Sequence, residues 1–254
     1  MTESRVIPDL SVSCYLAPKQ GSEARECEDS YSFNKTRRRF CIADGATEGF
    51  ASRYWARLLV KHWTQYKKPF ETLEERAAWA KSLGDRFDER WRDRQLSWFA
   101  EEKARSGAYA AFVALWFVEQ GSHLRWRAIA IGDACLVVWR QKAILTSFPL
   151  DDPQNFGFRP ILLPSKSSVQ NTTLEGIEER TGEALPGDVL FLLTDAIAAW
   201  FLRAAKHAPE QILEFEEMLN RGIRNDLDEF IERARSNGSL RNDDVGVLRT
   251  QVAP

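Results

Sequence analysis

The chain has 254 residues, of which 44% are hydrophobic and 28% are charged, and this composition excludes a collagenous, low-complexity or wholly disordered protein. Its 35 basic and 37 acidic side chains leave a net charge of −2, so no overall basic field is available to hold a nucleic-acid backbone. The longest apolar stretch, residues 108–118, is shorter than the roughly 20 residues that cross a bilayer. We therefore predict neither a nucleic-acid partner nor a membrane span.

The amino-terminal residues and the cysteines predict a cytoplasmic protein. The first residues contain no apolar run between a basic start and a small-residue cleavage site, which a secretory signal would have. The four cysteines include no Cys-x-x-Cys pair, and without an export signal we expect reduced, buried thiols. They are Cys14, Cys27, Cys41 and Cys135.

The first part of the chain predicts strands followed by a helix. Alternating polar and apolar side chains favour short strands over residues 10–17, 29–34 and 38–43. The third of these is followed by Asp44-Gly45, which is a common turn dipeptide. Large apolar side chains then share one face of a predicted helix over residues 50–63.

A second, longer amphipathic helix is predicted over residues 72–103. Large apolar side chains recur in it at four-residue spacing, and charged residues fill the other faces. The apolar residues are Trp79, Leu83, Phe87 and Trp91. We interpret the charged residues as the solvated side of the helix, because exposed ion pairs along a helix are worth little individually.

The rest of the chain predicts many strands, three helices and a return to a strand. Strands are expected over residues 110–118, 124–131, 135–140, 143–146, 169–174, 177–181, 188–194 and 244–251. A loop is expected over 147–168, and helices are expected over 196–206, 208–221 and 226–236. This order indicates an α+β fold rather than a βαβ repeat. We predict one domain over residues 1–254, a β-sandwich of two mostly antiparallel sheets flanked by helices on both sides.

Acidic residues lie where the predicted strands begin or end. Five such places occur, at Glu28-Asp29, Asp44, Asp133, Asp195 and Asp243-Asp244. Each one alone is typical of a turn, in which Asp hydrogen-bonds nearby backbone. Together they contain the hard oxygen ligands that Mg²⁺ and Mn²⁺ prefer. Two such ions about 3.5–4 Å apart can activate a water and hold a phosphoryl oxygen. The residues alone thus indicate either a set of turns or a metal site.

The order of these motifs resembles the metal-dependent protein phosphatases, the type 2C or PPM family of Ser/Thr phosphatases. The hallmarks of that family include an acidic pair opening an early strand, a strand ending in Asp-Gly and a Gly-Asp between two strands. Two further hallmarks of the family are an apolar run ending in Thr/Ser-Asp-Gly and a late Asp-Asp or Asp-Asn before the last strand. The chain has ECEDSYSF, RRFCIADGATEGF, RAIAIGDACLVVW, DVLFLLTDAIAAW and RNDDVGVL in that order. The Asp-Gly-Ala-Thr at residues 44–47 is closest to the bacterial branch.

The resemblance implies a catalytic centre that holds two or three Mg²⁺ or Mn²⁺ ions. Asp44 would bridge two ions, and the Gly45 carbonyl would bind one of them. Asp195 and Asp243 would bind the other ion. A water bridging two ions would then hydrolyse phosphoserine or phosphothreonine.

The same resemblance assigns roles to four more residues and to one loop. Glu28 and Asp29 would bind metal-bound water, and Asp133 lies at the position of the family's third metal. Arg25, three residues before Glu28, is a candidate to hold the substrate phosphate, because a guanidinium matches a phosphate bidentately. The loop over residues 147–168 takes the place of the family's flap and is a candidate substrate-selecting element.

The implied partners are a phosphorylated protein substrate and a Ser/Thr kinase pathway. The chain departs from the family pattern at three places. Ala196 replaces the Gly after the metal-binding Asp, Gly246 replaces a common Thr, and no His follows Asp44-Gly45. These departures keep open a catalytically impaired, phosphatase-like binding module. A metal-dependent hydrolase of small phosphate esters is the third hypothesis.

Overall fold

The computed structural model describes residues 8–66, 69–120, 123–157 and 159–253. The termini of the predicted 1–254 domain and residue 158 of the predicted loop lie outside these ranges. In chain order the strands are β1 (Leu10–Ala17), β2 (Ser30–Asn34), β3 (Arg39–Gly45), β4 (Tyr109–Gln120), β5 (His123–Ile131), β6 (Cys135–Arg140), β7 (Ala143–Phe148), β8 (Leu163–Pro164), β9 (Glu178–Ala184), β10 (Val189–Leu193) and β11 (Val245–Val252). The helices are α1 (Ser52–Gln65), α2 (Leu73–Trp91), α3 (Trp98–Ser106), α4 (Ser167–Leu174), α5 (Asp195–His207), α6 (Pro209–Arg221) and α7 (Arg224–Ser236).

The strands form two antiparallel sheets. The first sheet has the order β1-β11-β10-β6-β7, and the second has the order β2-β3-β4-β5-β9 with β8 paired to β4. Except for β6 and β7, strand neighbours in the first sheet are far apart in the chain, and β1 pairs with β11 along its whole length. The first and last strands of the described chain therefore lie side by side.

Three apolar layers hold the sandwich together. Alternate residues of a strand face opposite sides of its sheet. On β3, Phe40 and Ile42 point into the layer between the sheets, whereas Cys41 and Ala43 pack against the helices outside. Helices α1 and α2 cover the second sheet, and α5 to α7 cover the first sheet. The predicted α+β sandwich with helices on both sides is confirmed.

The single helix predicted over residues 72–103 is two helices in the structure. Thr72 caps α2 by accepting a hydrogen bond from the Glu75 backbone, and this helix ends at Trp91, where its apolar stripe also ends. Ser97 caps α3 in the same way, and α3 buries none of its residues. The prediction is wrong here because nothing apolar beyond Trp91 holds one continuous helix on the sheet.

The strand predicted over residues 169–174 is also wrong, because these residues belong to α4. The β-branched residues Val169, Thr172 and Thr173 favour a strand in isolation, but tertiary contacts override that preference. The buried Gln170 amide donates to the backbone carbonyls of Ala80 on α2, 3.1 Å, and of Pro164, 3.0 Å. The predicted loop 147–168 contains a short 3-10 turn and the two residues of β8.

Two further findings concern the cysteines and the membrane. All four cysteines are free, three of them are buried and Cys14 is half-buried. Among the helices of the described ranges, none combines the length and the apolar character that a bilayer crossing requires.

Candidate active site

Acidic side chains from both sheets meet at one end of the sandwich. In an antiparallel pair, the start of one strand lies beside the end of its neighbour. Ser30 of β2 pairs with Ala43 of β3, so Asp29 and Asp44 are the next residues in register. Gly45 follows at the end of β3, opposite Ala110 of β4.

The first sheet brings its acidic residues to the same end. Asp195 is the first residue of α5 and is separated from β10 by Thr194 alone, and Asp243 precedes β11 by two positions. Leu193 pairs with both Val247 of β11 and Cys135 of β6. The carboxylates of the two sheets thus share one end of the molecule, as the sequence predicts.

Asp44 lies at the electrostatic centre of this cluster. Its carboxylate is half-buried and makes no hydrogen bond or ion pair with any described residue. Burial raises the pKa of Asp44 well above its usual range, and the nearby negative charges raise it further. Those charges belong to Asp29, Asp195, Asp133 and Asp243. The mutual repulsion shows that five predicted site residues are close enough to interact.

Asp29 is almost fully buried and only half satisfied. The Thr194 hydroxyl donates to its Oδ2 atom at 2.8 Å, while its buried Oδ1 atom has no hydrogen-bond partner among the described residues. Burial raises the pKa of Asp29, and the Thr194 hydrogen bond opposes that rise. A buried carboxylate oxygen without a partner is costly. The Oδ1 atom is therefore available to a cation or to a ligand.

Thr194 connects Asp29 to the other sheet and explains one departure from the family pattern. Its hydroxyl accepts a hydrogen bond from the Gly246 backbone at 2.8 Å. A Cβ atom on Gly246 would lie 3.0 Å from the Thr194 methyl and from Ile42 Cδ1, and 3.1 Å from Asp29 Oδ2. The site has room for Gly at position 246 and little room for a larger residue.

The loop between β1 and β2 is anchored by a residue to which the sequence assigned no role. The buried Asp244 carboxylate accepts hydrogen bonds from the backbone of Lys19, 2.8 Å, and of Glu28, 2.7 Å. Glu28 in turn accepts a hydrogen bond from the Thr47 hydroxyl at 2.6 Å, and burial raises its pKa. Asp244 thus positions the loop that carries Glu28 and Asp29. The only signal for it in the sequence was its place beside Asp243.

Asp133 enters the cluster from the turn between β5 and β6. Gly132 has a φ of 90°, and a Cβ atom there would lie 2.6 Å from the Ala111 Cβ atom. Glycine is required at that position for both reasons. Burial raises the pKa of Asp133 to about 6, and the negative charge of Asp195 adds to the effect.

Arg241 is a cation inside the cluster that sequence reasoning missed. Its guanidinium forms ion pairs with Asp195 and with Asp243, the latter at 3.0 Å. Burial raises the pKa of Asp195, and the charge of Arg241 opposes this rise. Ala196 follows in the first turn of α5 with a negative φ, so its methyl group causes no backbone strain. The position of Arg241 two residues before Asp243 was the available signal.

Arg25 does not reach the carboxylates in this structure. Its side chain is 78% exposed, and its guanidinium pairs with Glu23 at 2.8 Å. No hydrogen bond or ion pair joins it to Asp29 or Asp44, all of which are described residues. The structure therefore gives no support to a phosphate-holding role for Arg25.

The donor chemistry of the cluster fits a hard divalent cation. Its donors are carboxylate oxygens, one of them is a buried Oδ1 atom without a partner, and the negative charges exceed the single guanidinium among them. The described ranges nevertheless contain no group of three or more His, Cys, Asp or Glu side chains arranged to hold a metal ion. The Arg241 guanidinium pairs with the carboxylates of Asp195 and Asp243. A metal ion that binds these two carboxylates would therefore have to displace the guanidinium.

Comparisons with known proteins give a clear result for the fold. No protein-family profile and no curated protein sequence matches the chain. The catalytic domain of the serine/threonine phosphatase PstP, in complex with two manganese ions, matches with a TM-score of 0.60 at 18% identity, covering 96% of this chain and 99% of that chain. The photosystem II phosphatase PBCP matches with a TM-score of 0.58 at 15% identity, covering 96% and 98%. The serine/threonine phosphatase Stp1 from Staphylococcus aureus matches with a TM-score of 0.58 at 13% identity, covering 100% of both chains.

These structures define the class of fold. The chain shares the sandwich of the type 2C Ser/Thr phosphatases over nearly its whole length. The resemblance predicted from the motif order is therefore confirmed for the fold. An activity has to be argued from the site itself.

Proposed function

We propose that this protein is a metal-dependent phosphoprotein phosphatase that hydrolyses phosphoserine and phosphothreonine. One observation carries the proposal. Buried and half-buried carboxylates from both sheets converge within a type 2C fold, and no described cation pairs with Asp29 or Asp44. Such an arrangement is unfavourable for folding alone, and perturbed carboxylates of this kind are typical of functional sites.

The residues proposed to hold the cations are those at the strand ends. They are Asp44, the Gly45 carbonyl, Asp195, Asp243, Asp133, Glu28 and Asp29. When bound, Mg²⁺ or Mn²⁺ would activate a water and neutralise the charge of the phosphoryl group.

The chain itself positions these donors. Thr194 holds the Asp29 carboxylate through Oδ2 and leaves Oδ1 free. Asp244 fixes the backbone at Glu28, and Thr47 fixes the Glu28 carboxylate. Because the Asp29 and Glu28 carboxylates are each held by a neighbour, these two donors need little ordering when a ligand arrives.

The proposal extends to the partners and the compartment. A phosphorylated protein would be the substrate, and a Ser/Thr kinase would supply it. The four free cysteines suit a reducing compartment, which supports the cytoplasm.

The test is hydrolysis of p-nitrophenyl phosphate and of a phosphothreonine peptide by the purified chain, with Mn²⁺, with Mg²⁺ and with EDTA. We expect turnover that requires metal, stops with EDTA and returns when Mn²⁺ is restored. Turnover that is unaffected by EDTA would contradict the proposal. Turnover of small phosphate metabolites with none on phosphopeptides would favour the small-ester hydrolase instead.

The binding module remains a second candidate because of Arg241. Its guanidinium neutralises Asp195 and Asp243 without any metal. A non-catalytic protein with this fold would be folded and show no metal-dependent turnover. Calorimetric titration with Mn²⁺ separates the two candidates, because two or more bound ions would exclude the inert module.

A further inference from the structure

A basic cavity, whose cations take no part in the site described above, opens beside the carboxylate cluster. It has a volume of about 570 Å³, which lies within the usual range of ligand-binding pockets. Its lining comes from the loop between β1 and β2, from α1 and from the start of α7. Four cations line it, namely Arg53, Arg57, Lys61 and Arg224. Asp29 is the one carboxylate among the described residues of that lining.

Three of these cations form a row along α1. Arg53, Arg57 and Lys61 are spaced four residues apart, which places them on one face of the helix. Like charges at this spacing destabilise a helix. Their side chains make no hydrogen bond, ion pair or ring contact with any described residue. The row is therefore unfavourable for folding and suited to an external anion.

The fourth cation is held in place on the opposite wall of the cavity. The Arg224 guanidinium donates to the Leu16 carbonyl at 2.9 Å and lies over the Tyr15 ring, 5.4 Å from its centroid. It also pairs with Asp228 at 3.4 Å. These contacts orient Arg224 before a ligand arrives, which lowers the entropic cost of binding.

Asp29 connects the cavity to the carboxylate cluster. It is 3% exposed, it lines the cavity, and its Oδ1 atom has no partner. The same residue lies next to Asp44 in the register of β2 and β3. The cavity and the carboxylate cluster therefore adjoin at Asp29.

We propose that the basic cavity binds an anionic side chain of the phosphoprotein substrate, a carboxylate or a second phosphate close to the residue that is hydrolysed. This inference rests on the proposed function and defines its substrate class. Arg53, Arg57 and Lys61 have no described ion-pair partner and so attract an anion, although Arg224 already pairs with Asp228. Guanidinium groups bind carboxylates and phosphates through paired hydrogen bonds. The protein would therefore prefer phosphorylated residues in acidic surroundings.

The experiment compares two phosphothreonine peptides that differ only in their flanks, one with Glu and one with Gln at the same positions. The double variant Arg57→Gln/Lys61→Gln removes two exposed cations of α1. The matched control Lys81→Gln/Arg86→Gln removes the same charge from the exposed side of α2. Thermal unfolding verifies that both variants fold. The readouts are kcat/KM with Mn²⁺ and, separately, peptide binding by fluorescence anisotropy in EDTA.

We expect the unmodified chain to prefer the Glu peptide by about tenfold or more in kcat/KM and in Kd, as charge-assisted hydrogen bonds predict. The preference should weaken with salt, disappear in the double variant and persist in the control. Equal treatment of the two peptides, or a preference that survives in the double variant, would overturn the proposal. An RNA oligonucleotide that competes as strongly as the Glu peptide would also overturn it.

The two proposals can fail separately. If neither peptide is hydrolysed but the Glu preference in anisotropy depends on Arg57 and Lys61, the phosphatase proposal fails and the cavity remains an anion site. If hydrolysis depends on metal but has the same kcat/KM for the Glu and the Gln peptide, the phosphatase proposal stands and the cavity proposal fails.

Discussion

The carboxylate cluster has two halves that differ in how their charge is compensated. On the second sheet, no described cation forms an ion pair or hydrogen bond with Asp29 or Asp44, and burial raises the pKa of both. On the first sheet, Arg241 pairs with both Asp195 and Asp243. Aspartate side chains near strand ends thus have two different electrostatic environments within one site.

This difference in ion pairing indicates which half of the carboxylate cluster needs a bound cation more. At Asp195 and Asp243 the Arg241 guanidinium supplies the compensating charge through direct ion pairs, whereas no described cation makes such a pair with Asp29 or Asp44, so a bound cation would compensate them. Buried carboxylates without compensation cost stability and shift towards their protonated form. We therefore expect the second-sheet half to govern activity and pH dependence, and the first-sheet half to govern metal affinity through Arg241.

Asp44→Asn should have the largest effect. It removes the proposed bridging carboxylate, so metal-dependent hydrolysis should fall by more than about a thousandfold, in line with the loss of a main electrostatic group in a catalytic site. The free energy of unfolding should be kept or increased, because a half-buried charge without a described partner is removed.

The measurement for Asp44 is kcat on the phosphothreonine peptide together with thermal unfolding. Asp85→Asn, an exposed carboxylate on α2, is the matched control and should retain activity. An Asp44→Asn protein that turns over at the unmodified rate would show that the second-sheet half is not the reaction centre.

Asp133→Asn should alter the pH dependence of the metal-free protein. The folded pKa of Asp133 is about 6, above the usual 3.8, so the folded state holds this proton more tightly than the unfolded chain does. The tighter proton binding contributes to the free energy of unfolding. This contribution is fully present below about pH 4 and is lost as the pH rises through about 6, the folded pKa of Asp133. The loss amounts to about 3 kcal/mol at 1.36 kcal/mol per pKa unit.

The Asn side chain does not titrate, so the variant should lack this part of the decline. Urea unfolding in EDTA at a series of pH values between 4 and 7 measures it. Asp85→Asn again serves as the control and should follow the unmodified chain. A decline of unchanged size in Asp133→Asn would mean that other carboxylates cause it.

Gly246→Ala tests the junction between the two halves, where Thr194 joins Asp29 to the Gly246 backbone. The added methyl would press on Ile42, Thr194 and Asp29 at 3.0–3.1 Å. We expect a loss of about 1–3 kcal/mol in the free energy of unfolding, as is usual for overpacking. Urea unfolding measures it, and an unchanged midpoint would show that the two halves are not tightly joined there.

Arg241→Gln should have the smallest effect of the four variants. It tests whether Arg241 competes with metal for the first-sheet half of the carboxylate cluster. Removing the internal cation leaves Asp195 and Asp243 free for metal, so Mn²⁺ should bind about tenfold more tightly, since partly exposed ion pairs contribute about 1 kcal/mol or less each. Calorimetric titration measures the affinity. Arg203→Gln, on the exposed side of α5, is the control. Unchanged or weaker affinity in Arg241→Gln would contradict competition between the guanidinium and the metal.

Much of the fold was predictable because its signals are local. The strands β1 and β3 to β6 follow from alternation and apolar runs within a few residues, and the order of elements indicated the α+β class. The errors arose where local preference met a distant partner. Residues 169–174 became helical against α2, and the helix predicted over 72–103 ended where its apolar stripe ended.

Five acidic places in the sequence predicted the carboxylate cluster, because strand ends of an antiparallel sandwich collect at shared edges. The partners of those carboxylates were not predictable in the same way. Thr194 lies 165 positions from Asp29, and Arg241 lies 46 positions from Asp195. Arg25, near Glu28 in the sequence, instead points to solvent and pairs with Glu23.

The sequence by itself thus determined most of the strands, the fold class and the residue types gathered at one end of the sandwich, since these depend on short-range periodicity and on strand order. Tertiary structure alone decided which carboxylates are compensated by Arg241, how Thr194 joins the sheets, and that the cations of α1 and α7 face one cavity. The physical reason is that burial and electrostatic interaction depend on distance in space, and the folded chain sets that distance between residues far apart in sequence.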